Sequence, residues 1–145
     1  MTAAVPPLDQ PYYGAPLGAA VRRIFAKYAT FRGRASRSEY WWWVVTAAVV
    51  GTVLNALPTL TDGIRIEADG STTITGPLGV ILGAIWLVWA LVTIVPTFAV
   101  LVRRLHDTHR SGFWVLIGVV PLIGVLVLFV FTLQGPRPEG ARFDE

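Results

Sequence analysis

Apolar positions in this chain come in long unbroken runs, and the runs are bounded by charge. No charged residue lies between Glu39 and Asp62, between Asp69 and Arg103, or between Arg110 and Arg137. Inside those gaps the apolar cores are residues 41–57, extensible to 60, then 77–102 and 113–133. A bilayer core takes about 20 apolar residues as a helix. At ~1.5 Å per residue the three runs reach about 26–30, 39 and 31 Å. The second exceeds the bilayer core, so it must tilt, kink at Pro96 or protrude. Continuous runs exclude a membrane β-barrel, whose strands alternate over about ten residues. A spanning segment must also satisfy its own backbone, which selects helix.

A different pattern precedes the first run. Leu17, Ala20, Val21, Ile24, Phe25 and Tyr28 recur at helical spacing, and Arg22, Arg23 and Lys27 fall off that stripe. This predicts a basic amphipathic helix over 17–30, lying in the cytoplasmic interface or packed on the ends of the spans. Residues 1–16 are rich in Pro, Gly and Ala and read as a flexible tail, as do 134–145. The predicted fold is therefore an all-α membrane protein. It has three transmembrane helices (41–60, 77–102 and 113–133, within a domain of 31–133) after an interfacial amphipathic helix.

Composition agrees with the pattern. Of 145 residues 54% are hydrophobic and 14% charged, with a mean hydropathy of +0.59. About 25% charge is usual for a soluble domain. The absence of Cys excludes a disulfide scaffold. No short apolar stretch occupies the first 15–30 positions, so the first span serves as an uncleaved anchor.

Charge then sets orientation. Residues 1–40 carry a net +4, the loop 58–76 a net −2, the loop 103–112 a net +2 and the tail a net −1. Basic residues attract the cytoplasmic side. The N-terminus and second loop are thus expected in the cytoplasm of a bacterial inner membrane, and the first loop and tail outside. A rival topology folds the third run back at Pro121-Leu122-Ile123-Gly124, returning the tail to the cytoplasm. Its arms are too short to span, so three spans is the expectation. The pI of 9.8 points to anionic headgroups rather than nucleic acid, because the basic residues hug span ends.

Two motifs stand out. In the first, Arg32-Gly33-Arg34 through Ser36, Arg37, Glu39 and Trp41-Trp42-Trp43, the pair Ser36-x-x-Glu39 is a capping box that starts the first membrane helix. Gly33 permits the turn before it, and the Trp triplet suits the headgroup layer. In the second, Arg103-Arg104-Leu105-His106-Asp107 through His109, Arg110, Ser111, Gly112 and Trp114, the arginines favour a helix C-terminus and Ser111 is a candidate cap. Glu39 is expected to pair with Arg103 or Arg104, and Asp107 with an arginine of the first motif, since buried carboxylates need partners. Arg32, Arg34, Arg37, Arg103, Arg104 and Arg110 form a candidate surface for lipid phosphate or a partner protein.

Together with Ile117 and Pro121-Leu122-Ile123-Gly124, these motifs resemble the bacterial domain of unknown function 805 family, over roughly Ala26 to the end of the chain. The resemblance implies a small inner-membrane protein without an assigned reaction. The tail departs from the family pattern at Ala141, where Asn is usual, and at Asp144.

No catalytic residue, metal or cofactor is expected. His106, Asp107, His109 and Ser111 lie too close in sequence for a hydrolase triad and lack its strained Gly-x-Ser-x-Gly turn. They leave one enzymatic alternative, a lipid-headgroup or metal-dependent site at His106, Asp107 and His109. A second alternative is an oligomeric small-solute conduit. The spans hold no ionisable residue to line a pathway, although Gly79-x-x-x-Gly83 is a helix-pairing pattern.

Overall fold

The computed structural model describes residues 5–61 and 63–144. In chain order it holds α1 (Leu17–Ala26), α2 (Arg37–Leu60), β1 (Ile64–Ile66), β2 (Thr72–Ile74), α3 (Gly76–Asp107), a 3-10 segment (Gly112–Val119), α4 (Ile123–Leu133) and a 3-10 turn (Pro138–Phe143). The chain divides into two compact units. One comprises the residues up to Val44 and those from Val95 onward; the other is Val45–Ile94.

α2 and α3 are the two helices among the described residues that are long and apolar enough to cross a membrane. Their large apolar side chains point outward, with Val53 52% and Val88 59% exposed. A contiguous apolar surface of that kind is not a soluble surface. At ~1.5 Å per residue α3 is about 48 Å long, so it extends well past a ~30 Å hydrocarbon core.

In the second unit the loop between α2 and α3 is an antiparallel hairpin, with Ile64 opposite Ile74 and Ile66 opposite Thr72. Asp69 closes its turn by accepting from the Ser71 amide at 2.8 Å. Gly79 lies against the chain's own loop. A Cβ at Gly79 would lie 1.9 Å from the Gly63 carbonyl oxygen, so its missing side chain lets the chain's own loop pass.

Three expectations are corrected in the first unit. The run 113–133 is not one helix. It is a 3-10 segment and α4 folded against each other, with Trp114 edge-on to Phe131 at 5.3 Å. Pro121 interrupts the helix, Leu122 adopts φ +60°, and the backbones then approach so closely that a Cβ at Gly124 would lie 1.8 Å from the Ile117 carbonyl oxygen.

Neither described tail segment hangs free. The C-terminal segment is hydrogen-bonded back to the first two motifs, through Arg137 N to Asp107 O at 2.8 Å and Gly33 N to Phe143 O at 2.7 Å. The tail and both motifs therefore lie at one end of this unit. The N-terminal segment from Val5 is held as well, by the bonds described below; Met1 to Ala4 fall outside the described residues.

α1 spans less than 17–30, and its buried face is Ala20, Arg23 and Ile24, continued by Lys27. Leu17 and Phe25 of the apolar stripe are 47% and 42% exposed. The helix is turned so that two cations face inward, because Arg23 finds an acid and several carbonyls there.

Candidate functional site

The core of the first unit is charged. Arg23, Lys27, Glu39, Arg103, Arg104 and Asp107 are all buried, beside Ala20, Ile24, Ala35, Trp43 and Leu105. Low charge content makes such a core expensive, since each buried ion needs a partner.

The first motif builds one half. Ser36 Oγ accepts from the Glu39 amide at 3.2 Å, and the Glu39 carboxylate accepts from the Ser36 amide at 2.9 Å. These two bonds start α2. The same carboxylate accepts from Arg23 Nε at 2.7 Å and from the Tyr12 amide at 3.0 Å. Glu39 thus pairs with Arg23, not with Arg103 or Arg104, because α1 reaches it first. The Arg23 guanidinium also donates to the carbonyls of Pro6, Pro7 and Gln10. Those bonds hold down the N-terminal segment. Gly33 takes φ +78°, a turn that favours glycine.

The second motif builds the other half. Arg104 donates to Asp107, Thr132 O and Gln134 O. Asp107 also lies 4.0 Å from Arg34 and accepts from the Tyr13 hydroxyl at 2.8 Å. Its main partner is therefore a neighbour one helical turn away, with the first-motif Arg34 at longer range. Arg34 instead forks onto Asp144, at 2.6 Å from Nη2. His106 Nδ1 lies 3.1 Å from Gly33 O, and its ring stacks on Phe143 at 4.0 Å. Arg110 sits over the Phe131 ring at 3.8 Å, and Ser111 Oγ accepts from the Phe113 amide. Gly112 lies tightly against Val102.

The aromatic residues divide. Trp43 is fully buried and donates to Thr97 at 3.0 Å, so the triplet is not wholly interfacial. Trp42 and Trp114 are exposed, and Trp41 packs edge-on to Phe129.

Electrostatics follow from this packing. Burial, then the bond to Asp107, pushes the Tyr13 hydroxyl up to about 12. The bond to Asp144 raises Arg34. Burial, then the nearby Arg103, lowers Lys27 to about 8. Lys27 forms no ion pair among the described residues, and the buried Arg103 Nε has no hydrogen-bond partner there. Arg32 and Arg37 are exposed, and no described acid pairs with them.

His106, Asp107 and His109 do not converge. His106 faces Gly33 and Phe143, and Asp107 faces Tyr13 and Arg104. Among the described residues no three His, Cys, Asp or Glu side chains are grouped to hold a metal. Residues of the network that the sequence did not assign to the site are Tyr12, Tyr13, Arg23, Lys27, Thr132, Gln134 and Asp144. Arg23 and Lys27 carried a signal, being one turn apart on one helix face.

Two exposed apolar helices, with a buried ion network gathering the described N- and C-terminal segments, define a small helical membrane protein. Its family follows from residues 28–145, which match the model described as Protein of unknown function (DUF805), and the chain belongs to that family. It is 37% identical over 108 residues to the Inner membrane protein YhaI of Escherichia coli (strain K12), covering 74% of this chain and 77% of that one. It is 32% identical over 121 residues to the Inner membrane protein YhaH of the same strain, covering 83% and 89%. No solved structure matches the chain significantly.

Proposed function

We propose that this protein is a non-enzymatic, multi-pass module of the bacterial inner membrane whose basic cytoplasmic face binds anionic lipid headgroups. α2 and α3 are its two spans, and 112–133 is a re-entrant hairpin that returns the tail to the cytoplasm. Both ends then lie inside, and Arg65 is the one basic residue outside. That distribution obeys the positive-inside bias better than three spans would.

The observation that carries the binding reading is the split among the cations. Arg34 and Arg104 pair with buried or half-buried acids, and Arg110 stacks on Phe131. Arg22, Arg32 and Arg37 are left exposed and unpaired by any described acid. Each basic residue near an anionic surface contributes about 1 kcal/mol. The test is the selectivity of the reconstituted protein for spin-labelled phosphatidylglycerol over phosphatidylcholine. We expect selectivity that fades with salt and falls in Arg22→Gln/Arg37→Gln. Equal affinity for both lipids at low salt would end this reading.

A further inference from the structure

Lys27 is the only lysine in the sequence. It is 6% exposed and forms no ion pair among the described residues. Its neighbour Arg103, 1% exposed, donates a single long bond to the Lys27 carbonyl at 3.4 Å. Of the acids nearby, Glu39 is committed to Arg23 at 2.7 Å and Asp144 to Arg34 at 2.6 Å; Asp9 attracts Lys27 without forming an ion pair with it. Two buried cations are thus left without an ion pair of their own among the described residues, with Glu39 and Asp9 acting on Lys27 only at longer range, which is costly unless an anion completes the pairing.

Beside Lys27 there is a cavity of about 300 Å³, walled by Lys27, Thr30, Arg32 and Gly33, with Asp9 and Asp144 also on its lining. A Cβ at Gly33 would lie 4.0 Å from Lys27 Nζ, which places the ammonium at the cavity wall. Arg32 offers a planar fork, Lys27 a point charge and Thr30 a hydroxyl, a donor set suited to a tetrahedral oxyanion. Leu8 and Ala26 add an apolar wall, and the volume reaches that of small-ligand sites, larger than a simple ion needs.

We propose that this cavity is a phosphate site, with Lys27 and Arg32 as its cationic ligands, taking the phosphate of a lipid headgroup or phosphate free in solution. Burial, then Arg103, lowers the Lys27 pKa to about 8, and an anion bound beside the ammonium raises it again. The proposal deepens the headgroup-binding reading and rests on it for the lipid source.

The single lysine makes the test direct. The full chain in non-ionic detergent is reductively methylated, and Lys27 and the N-terminal amine are followed separately by peptide mass. Inorganic phosphate, dioctanoyl phosphatidic acid, dioctanoylglycerol and chloride at matched ionic strength are the four arms. We expect phosphatidic acid to slow Lys27 modification by roughly tenfold and to leave the N-terminal amine unchanged. Arg32→Gln should weaken that protection and Asp9→Asn should strengthen it. Protection by phosphatidic acid but not phosphate supports a lipid site; equal protection by both supports a site that reads the phosphate group alone. No protection in any arm, protection by dioctanoylglycerol as strong as by phosphatidic acid, or an undiminished effect in Arg32→Gln overturns the proposal. Arg22 and Arg37 do not line the cavity. Spin-label selectivity without Lys27 protection therefore removes this site and keeps the basic face, and the reverse removes the face and keeps the site.

Discussion

Glu39 is the most informative residue to perturb. It is 3% exposed and accepts three bonds, from Arg23 Nε at 2.7 Å, the Tyr12 amide at 3.0 Å and the Ser36 amide at 2.9 Å. Glu39→Gln keeps the volume and one acceptor oxygen but removes the charge. Arg23, 5% exposed, then stays charged with no acid. Deleting one member of a buried pair costs roughly 3–5 kcal/mol. The carbonyls of Pro6, Pro7 and Gln10 still accept from Arg23, so the low end, about 3 kcal/mol, is expected. For a chain of this size that is a Tm drop of roughly 6–12 °C. Thermal unfolding in detergent, followed by near-ultraviolet circular dichroism of the buried Trp43, reads it. Arg23→Met should cost a similar amount, and the double variant should cost less than the sum by about 2 kcal/mol. A loss below about 1 kcal/mol for Glu39→Gln, or simple additivity, would refute the pair as the centre of this half of the core.

Lys27 gives a pH signature. Its folded pKa of about 8 lies below the ordinary 10.5, so between these values the unfolded chain binds more protons and stability rises with pH. Unfolding of the anion-free protein from pH 8 to 10 should show that rise, and Lys27→Met should abolish it. Tyr13 acts oppositely in a higher window: its pKa of about 12 against 10 gives stability present below pH 10 and lost toward pH 12, and spectrophotometric titration should lose a late-ionising tyrosine in Tyr13→Phe. Gly124→Ala places a Cβ 1.8 Å from Ile117 O and should destabilise by about 1–3 kcal/mol, whereas Gly83→Ala, with nothing within 4 Å, should be neutral or stabilising in the same melts. Asp144→Asn frees Arg34, a partly exposed pair worth about 1 kcal/mol, and should raise hydrogen exchange at the Gly33 and Arg137 amides while leaving Val45–Ile94 unchanged.

What could be read in the sequence was local or one-dimensional. The charge-free gaps located α2 and α3, because a helix in lipid needs only a long apolar run. The Ser36–Glu39 exchange is set by a three-residue spacing, so it shows in the letters. Hydropathy measures how apolar a run is, not whether it is straight, and so the fold at Pro121 and Leu122 was outweighed by the length of 113–133. The tails misled for another reason. Their composition lacks side-chain anchors, but the bonds that hold them use backbone groups: the carbonyls of Pro6, Pro7 and Gln10 on Arg23, and the amides of Gly33 and Arg137 on the C-terminal turn and Asp107. No residue count reports that.

The pairing of charges was the least legible feature, and the reason is also the clue to function. The sequence offered Glu39 and Asp107 as the acids of the two motifs and six arginines to choose from. Which cation wins depends on how α1 is turned, and α1 turns its cationic face inward because Arg23 there meets both Glu39 and the carbonyls. Once Arg23 occupies Glu39, and Arg104 occupies Asp107, the buried acids are exhausted while Lys27 and Arg103 are still inside. A protein in water could leave such a lysine at the surface. This one buries it against a cavity of the first unit. Burial of an unmatched ammonium is a standing cost to the fold. A phosphate in the cavity would offset it, so ligand binding and stability would be linked: phosphatidic acid should raise the Tm of the wild-type chain by more than it raises that of Lys27→Met.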